Sequence, residues 1–238
     1  MPIGDKIANP CMPQFCVNIR KNLRDCHDSI RHRFFRNREM VVILPRIVDH
    51  DERRRQVVGI ARAILLEYGL EKLTVRRIAE AANLSTAVIS HYFEDKRQLM
   101  LFIFLDTLEI AEFRFAQAVD SGQSTTTCLL TLLPTDEESR NNWKVWIAFW
   151  NMTLTDKEFR QQQVSKTENT LQRIRGLLDR NSHVRSLDEE EKDVEERRIF
   201  AVLVGIAIQA IHDPENWSAA RQTRVLESEF EGSIDTIC

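Results

Sequence analysis

The chain has 238 residues, of which 29% are charged and 43% hydrophobic, with only 7 glycines and 6 prolines. Few stretches alternate polar and apolar residues with the period of two that β-strands require, so the composition favours an all-helical protein with a substantial core. The longest strongly apolar run, residues 199–211, is shorter than the roughly 20 residues of a membrane span, and the N-terminus has no signal-peptide core. We therefore expect a cytoplasmic protein without a membrane segment.

The charges are distributed unevenly along the chain. Residues 1–45 carry 8 basic and 4 acidic side chains, residues 46–97 carry 10 and 8, and residues 98–238 carry 15 and 24. A DNA contact needs only a few cations on one face, so the weakly basic middle segment is compatible with DNA binding without being diagnostic of it.

Residues 1–48 mix Pro, Asn, Cys and Arg without helical or strand periodicity, and we expect a poorly ordered basic extension. The run Arg31–Arg38 is dense in arginine, so a basic arm that binds DNA phosphates is an alternative. Initiation near Met40 or Leu44 would leave the extension outside the natural protein.

Five cysteines, at positions 11, 16, 26, 128 and 238, form no Cys-x-x-Cys pair. This pattern indicates reduced thiols in a cytosolic protein. A metal cluster of Cys11, Cys16, Cys26 and His27 is the alternative, but its spacing matches no zinc pattern. We expect no metal site and no cofactor.

A first helix is predicted to begin after Asp49, which with Glu52 gives a start resembling a capping box, and to end at Gly69. Three arginines, Arg53–Arg55, lie in its first turn, where the helix dipole disfavours cations. A nearby polyanion and a solvated charge cluster explain this placement equally well. The apolar face of the helix is formed by Val57, Val58, Ala61, Ile64, Leu65 and Tyr68.

Two further short helices with a tight turn between them are predicted from Thr74 to Lys96. Thr74 is the expected N-cap of the first, which runs to Ala82. In the turn, Asn83 tolerates left-handed geometry and Ser85 caps the second helix. Two helices joined in this way place the second in the major groove of DNA.

The second short helix is predicted over Thr86–Phe93, with Val88 and Phe93 toward the core and Ile89 partly buried. The outer face then consists of small or polar side chains that can approach base edges and thymine methyl groups. Tyr92 and Lys96, at the rim, suit phosphate oxygens. The outer-face residues are Thr86, Ala87, Ser90 and His91.

The string TVRRIAEAANLSTAVISHYFEDKRQL resembles the DNA-binding domain of TetR-type transcriptional regulators, and LSTAVISHYFEDK is closest to BetI-like repressors. The resemblance is dense over residues 51–111. Asn83 and Ala87 depart from it, because glycine is usual at both positions. DNA contacts are implied for Thr74, Ser85, Thr86, Ala87, Ser90, His91, Tyr92 and Lys96.

The fourth predicted helix starts at Arg97 with Leu99, Phe102, Ile103, Ile110 and Phe113 as its apolar stripe, and the resemblance implies that it links the DNA-binding head to a helical body. In that body Trp143, Trp146 and Trp150 fall on one helical face with Phe149 beside them. This aromatic face either packs in the core or lines an effector pocket, because aromatic faces attract quaternary ammonium groups. BetI-like proteins respond to choline, so the resemblance implies a small-molecule effector, of cationic character.

Two long helices, near residues 156–180 and 187–211, and a last helix near 218–230 complete the prediction. The resemblance implies that the last two pair with their copies in a homodimer, although the apolar run fits a monomeric core equally well.

We therefore predict an all-α fold with a helix-turn-helix head at residues 51–111 and a larger effector-binding and dimerisation bundle at 112–238. The predicted function is that of a dimeric repressor released from a pseudo-palindromic DNA operator by a small molecule. A helical interaction protein without sequence-specific DNA binding is the alternative. An enzyme has the least support, since the sequence has no phosphate-binding glycine loop, G-x-S-x-G or H-E-x-x-H motif.

Overall fold

The computed structural model describes residues 50–180 and 182–234, and every regular element in these ranges is helical, which confirms the all-α prediction. No helix in these ranges is long and apolar enough to cross a membrane. Several predictions lie outside the described residues. They concern the basic extension at 1–48, the cap at Asp49, the group Cys11, Cys16, Cys26 and His27, and Cys238.

The helices follow one another with short connections, and a single 3-10 turn, Leu70–Lys72, lies between the first two. They are α1 His50–Tyr68, α2 Val75–Ala81, α3 Thr86–Tyr92, α4 Lys96–Asp120, α5 Thr125–Leu130, α6 Glu137–Ala148, α7 Trp150–Thr155, α8 Lys157–Leu178, α9 Ser182–Ser186, α10 Glu189–His212 and α11 Ala219–Ile234.

The helix ends follow the capping residues that the sequence provides. Gly69, with a φ of 81°, ends α1 and donates its N–H to the Leu65 carbonyl at 2.9 Å. The carboxylate of Asp95 accepts the N–H of Gln98 at 2.7 Å and starts α4. Asp136 and Asp188 start α6 and α10 through reciprocal capping boxes, so these starts are fixed by side-chain chemistry.

Helices α1 to α4 pack around one hydrophobic cluster that continues into the body of the protein. Ala61, Ile78 and Ile103 are buried at its centre. On its far side Phe104 of α4 lies 5.8 Å from Phe149 and 5.3 Å from Phe159, measured between ring centroids. The head and the first part of the body therefore share a core.

A second cluster holds the rest of the body together. It joins α4, α5, α8, α10 and α11 around fully buried side chains of low polarity. Its buried members include Phe115, Cys128, Leu129, Ile174, Leu203, Ala207 and Leu226.

The predicted burial requires correction at four positions, which are Tyr68, Val88, Ile89 and Phe113. Val88 is only half-buried, whereas Ile89 is 1% exposed, because Ile89 and Phe93 lie four residues apart on the same face of α3. Tyr68 is 46% exposed, and the Arg77 guanidinium covers its ring at 3.9 Å. Phe113 is 43% exposed.

The error at Phe113 has a geometric cause. α4 packs on the head at one end and on the body along its length, so its buried face changes along the helix instead of following one stripe. Phe104 and Phe115 occupy its buried aromatic positions, and Phe102 is half-buried against Phe93.

The turn between α2 and α3 depends on a left-handed residue. Asn83 has a φ of 52°, and its N–H donates to the Glu80 carbonyl at 3.2 Å while the Leu84 N–H donates to the Ala79 carbonyl at 2.9 Å. This pair of bonds is a Schellman motif with Asn83 at the left-handed position.

We predict that Asn83→Ala lowers the free energy of unfolding by about 1 kcal/mol, because a β-carbon disfavours left-handed backbone and alanine lacks the local hydrogen bonding of asparagine. Asn83→Gly should not lower it. Urea unfolding followed by circular dichroism measures both variants. Equal free energies of unfolding for the alanine and glycine variants would show that the left-handed backbone at position 83 does not disfavour a β-carbon.

Candidate DNA-binding surface and effector cavity

The position of α3 is fixed by a cap at one end and by two buried side chains. The hydroxyl of Ser85 accepts the Val88 N–H at 3.3 Å, as the hydroxyl of Thr74 accepts the Arg77 N–H at 3.2 Å at the start of α2. Ile89 is 1% exposed, and Phe93 packs edge-on against Phe102 at 5.6 Å. Both predicted caps are therefore present.

The opposite face of α3 is open to solvent. All four residues predicted to read bases, Thr86, Ala87, Ser90 and His91, are exposed. Lys96 is also exposed at the start of α4, and Tyr92 is half-buried against the head core. The four predicted base-reading residues therefore share an exposed face of α3, and Thr74 and Ser85 are exposed as well; the contact of these residues with DNA stays a prediction.

His50 also belongs to this surface, although it is not among the residues predicted from the sequence. Its ring lies 5.5 Å from that of His91 and 5.7 Å from that of Tyr92, while the His91 and Tyr92 rings are 5.5 Å apart. No local sequence pattern predicts this cluster, because it forms only where the start of α1 packs near the end of α3.

The three arginines at the start of α1 make contacts within their own helix, where Arg53 donates to Oε1 of Gln56 at 3.3 Å. Arg54 pairs with Asp51 at 3.7 Å, and Arg55 pairs with Glu52 at 3.3 Å. The guanidinium of Arg54 also lies 5.0 Å from the centre of the Phe102 ring. These contacts explain the arginines without requiring a polyanion.

A cavity of about 100 Å³ lies in the body between α4, α6, α8 and α10. Its walls are mainly apolar, with one ion pair and a few amide and hydroxyl groups, as is usual for small-molecule sites. The lining residues are Thr107, Leu108, Ala111, Glu112, Leu132, Asn142, Trp143, Trp146, Gln163, Lys166, Thr167, Thr170, Phe200, Leu203 and Val204.

The predicted aromatic face is divided between this cavity and the core. Trp143 and Trp146 line the cavity with their rings perpendicular and 4.8 Å apart. Phe149 is fully buried in the core and does not line the cavity, which corrects its predicted place. Trp150 is not in the lining either, and its ring lies 5.1 Å from the ring of Trp146.

The indole N–H groups of the two cavity tryptophans are already bonded inside the protein. Trp143 Nε1 donates to the Leu132 carbonyl at 2.8 Å, and Trp146 Nε1 donates to Oε1 of Gln163 at 2.7 Å. These bonds fix the ring orientations, so a ligand meets ring surface more than hydrogen-bonding edge.

Charge in the cavity is concentrated on one ion pair that sequence periodicity did not single out. Lys166 Nζ lies 2.6 Å from the Glu112 carboxylate, and both side chains are 26% exposed. A second carboxyl, Glu109, lies close enough to interact with both. Burial raises the pKa of Glu109, although Lys166 lowers it in part. Glu109 is exposed and does not line the cavity, so the cavity wall itself carries one acidic and one basic group.

Within the described residues, no three His, Cys, Asp or Glu side chains are grouped so that they could hold a metal ion. Cys128 is a buried free thiol whose pKa is raised by burial.

Two family models match the chain. One, described as bacterial regulatory proteins of the tetR family, matches residues 60–102. The other, described as the C-terminal part of a BetI-type transcriptional repressor, matches residues 123–235. The matches coincide with the helix-turn-helix head and with the cavity-bearing body.

Curated relatives are similar over different lengths. The HTH-type transcriptional regulator PksA of Bacillus subtilis is 26% identical over 192 residues, which are 79% of this chain and 93% of PksA. The HTH-type transcriptional regulator BetI of Burkholderia mallei is 28% identical over 125 residues, which are 50% of this chain and 64% of BetI. The alignment thus spans less than two thirds of BetI.

Solved structures show the same fold. A transcriptional regulator of Saccharomonospora viridis, solved in complex with choline, has a TM-score of 0.67 at 20% identity, covering 76% of this chain and 96% of its own. A transcriptional regulator of Rhodococcus sp. RHA1 has a TM-score of 0.64 at 20% identity, and the match covers 73% of this chain and 91% of that regulator. Because the two family models together match most of the described chain, the protein is a TetR-type transcriptional regulator of the BetI-like group.

Proposed function

We propose that this regulator is a dimeric repressor that binds a pseudo-palindromic operator through α3 and is released by a small cationic effector. The observation that carries the proposal is the exposed face of α3, held in place by the buried side chains of Ile89 and Phe93. Residues 51–111 would act as the DNA-binding domain and residues 112–238 as the effector-binding and dimerisation domain.

The DNA-facing residues divide by chemistry into two groups. Thr86, Ala87, Ser90 and His91 present small or hydrogen-bonding groups that suit base edges in the major groove. The side chains at the rim suit phosphate oxygens, which position a protein on DNA without reading its sequence. We assign the rim role to Thr74, Ser85, Tyr92 and Lys96.

A second copy of the chain is needed because one seven-residue recognition helix contacts too little DNA for specific binding. α10 and α11 offer a face for that copy. Ala201 and Gly205 of α10 are exposed one turn apart, and a β-carbon built on Gly205 would meet no atom within 4 Å. Small exposed residues on a long helix permit close approach of a partner helix.

The effector is proposed to be a quaternary ammonium compound. The faces of Trp143 and Trp146 suit a cation, and Glu112 supplies a counter-ion when the cation takes the place of Lys166. The similar regulator of Saccharomonospora viridis was solved with choline, so choline chloride is the natural first probe.

The DNA-binding proposal is tested by sequencing genomic fragments retained by the purified protein and then measuring variants on the enriched fragment. Lys96→Ala should weaken binding to all sequences about equally and reduce the salt slope by about 1, because it removes one phosphate contact. His91→Ala should change sequence preference, by about 1–3 kcal/mol at one base pair, with the salt slope kept.

Glu71, an exposed carboxylate on the 3-10 turn, provides the control, since Glu71→Gln should leave both properties nearly unchanged. Retention of all fragments without preference would contradict the repressor and favour a helical interaction protein. Identical behaviour of the Lys96 and His91 variants would contradict only the division into positioning and reading residues.

The effector proposal predicts that Trp146→Ala abolishes the effect of choline chloride on operator binding while operator affinity without choline stays within a few-fold. The reason is that Trp146 lines the cavity and belongs to α6, which carries none of the proposed DNA-contacting residues. Fluorescence anisotropy of a labelled operator fragment measures both quantities.

Trp217→Ala is the matched control, since Trp217 packs against the second core cluster and does not line the cavity. It should retain the response to choline. A full response of the Trp146→Ala variant to choline chloride would show that Trp146 has only a structural role.

A further inference from the structure

Arg62 connects the DNA-binding head directly to the wall of the effector cavity. It belongs to α1, and its side chain is only 13% exposed. One guanidinium nitrogen donates to Oγ1 of Thr107 at 3.2 Å, and another donates to Oδ1 of Asn142 at 2.8 Å. The Asp106 carboxylate lies 3.6 Å away. Three helices, α1, α4 and α6, therefore meet on one cation.

Both hydrogen-bond partners of Arg62 also line the cavity. Asn142 is 7% exposed, and its Nδ2 donates to the Thr107 carbonyl at 3.0 Å. Thr107 is 1% exposed, and its hydroxyl donates to the Ile103 carbonyl at 2.8 Å. The same two side chains thus belong to the cavity wall and to the anchoring of α1.

A buried cation constrains how this network can change. Burial lowers the pKa of Arg62 below its ordinary value, and Asp106 raises it in part. A guanidinium is not deprotonated in proteins, so Arg62 brings a positive charge into this network. A buried charge that loses a partner must find another, because leaving it unsatisfied is costly. If Asn142 turns toward a ligand, Arg62 and the helix that carries it must therefore move.

We propose that Arg62, Thr107 and Asn142 form a relay through which a ligand in the cavity repositions the DNA-binding head. The inference rests on the proposed function and adds to it the side chains that couple the two sites. It also narrows the effector class to cations that carry a hydroxyl or carbonyl group able to compete for the amide of Asn142. This path runs through α6 and α1, in addition to the covalent link through α4.

The relay makes a prediction about coupling that is independent of absolute affinity. Choline chloride should raise the operator Kd of the wild-type protein about tenfold or more, within the usual range of allosteric coupling. In Arg62→Met the ratio of operator Kd with and without choline should fall below about twofold. Tetramethylammonium chloride, which has no hydroxyl, should bind without changing the operator Kd of either protein.

Arg114→Met is the control for a purely structural effect. Arg114 of α4 pairs with Asp136 at the start of α6 at 2.5 Å, so it joins the same two body helices without touching the head or the cavity. The Arg114→Met variant should keep the full ratio of operator Kd with and without choline, even if its free energy of unfolding falls. A full ratio in Arg62→Met, or a reduced ratio in Arg114→Met, would overturn the relay.

A second experiment, without ligand, tests the relay if choline has no effect on the wild-type protein. Ala111 lines the cavity from α4, one turn beyond Thr107, and Ala111→Phe fills the space that a ligand would take. It should weaken operator binding about fivefold or more in the wild-type background and much less in Arg62→Met. Equal effects in the two backgrounds would overturn the relay, whereas absence of choline binding alone would contradict only the proposed effector. Failure of the unliganded wild-type protein to prefer any DNA would contradict the proposed function, and the relay with it.

Discussion

Helix α3, the proposed recognition helix, keeps its helical shape only while Ile89 and Phe93 stay buried. A seven-residue helix is far below the length at which an isolated helix is stable in water, and the Ser85 cap contributes only about 1 kcal/mol. The remaining stabilisation comes from packing against α1 and α4, where Phe93 meets Phe102. The proposed DNA-contacting face of α3 is therefore a property of the whole head, and any movement of α1 or α4 moves it.

The same cluster extends past the head, and this continuity gives the body a means of acting on DNA. Phe104, Phe149 and Phe159 bring α4, α6 and α8 into the core that supports α3. α1 also packs directly against α6, which carries the two cavity tryptophans. Close-packed interiors change between discrete arrangements and do not deform continuously, so a ligand between these helices is placed to shift the balance between two head positions. The Arg62 network is the polar part of that contact.

Local chemistry accounts for the parts of the fold that were predicted correctly. Thr74 and Ser85 cap their helices as expected, and Asn83 takes the left-handed conformation of the turn, because each depends on residues within a few positions. The failures at Val88, Phe113 and Phe149 depend on which neighbour each helix face meets, which one sequence does not specify. The spacing of Trp143 and Trp146 placed them on one helical face, and both line the cavity, while their role toward an effector stays a prediction. His50, Glu112 and Arg62 were not predicted, since their partners lie tens of residues away in sequence.

The central claim is that two copies of α3 read DNA together. It is tested most directly by hydroxyl-radical footprinting of the enriched genomic fragment with the unliganded protein. Paired reading by two copies of α3 predicts two protected patches of related, inverted sequence, with centres about 34–36 Å apart or a multiple of that distance along the duplex. A single protected patch, or uniform protection without an inverted repeat, would contradict paired reading by α3.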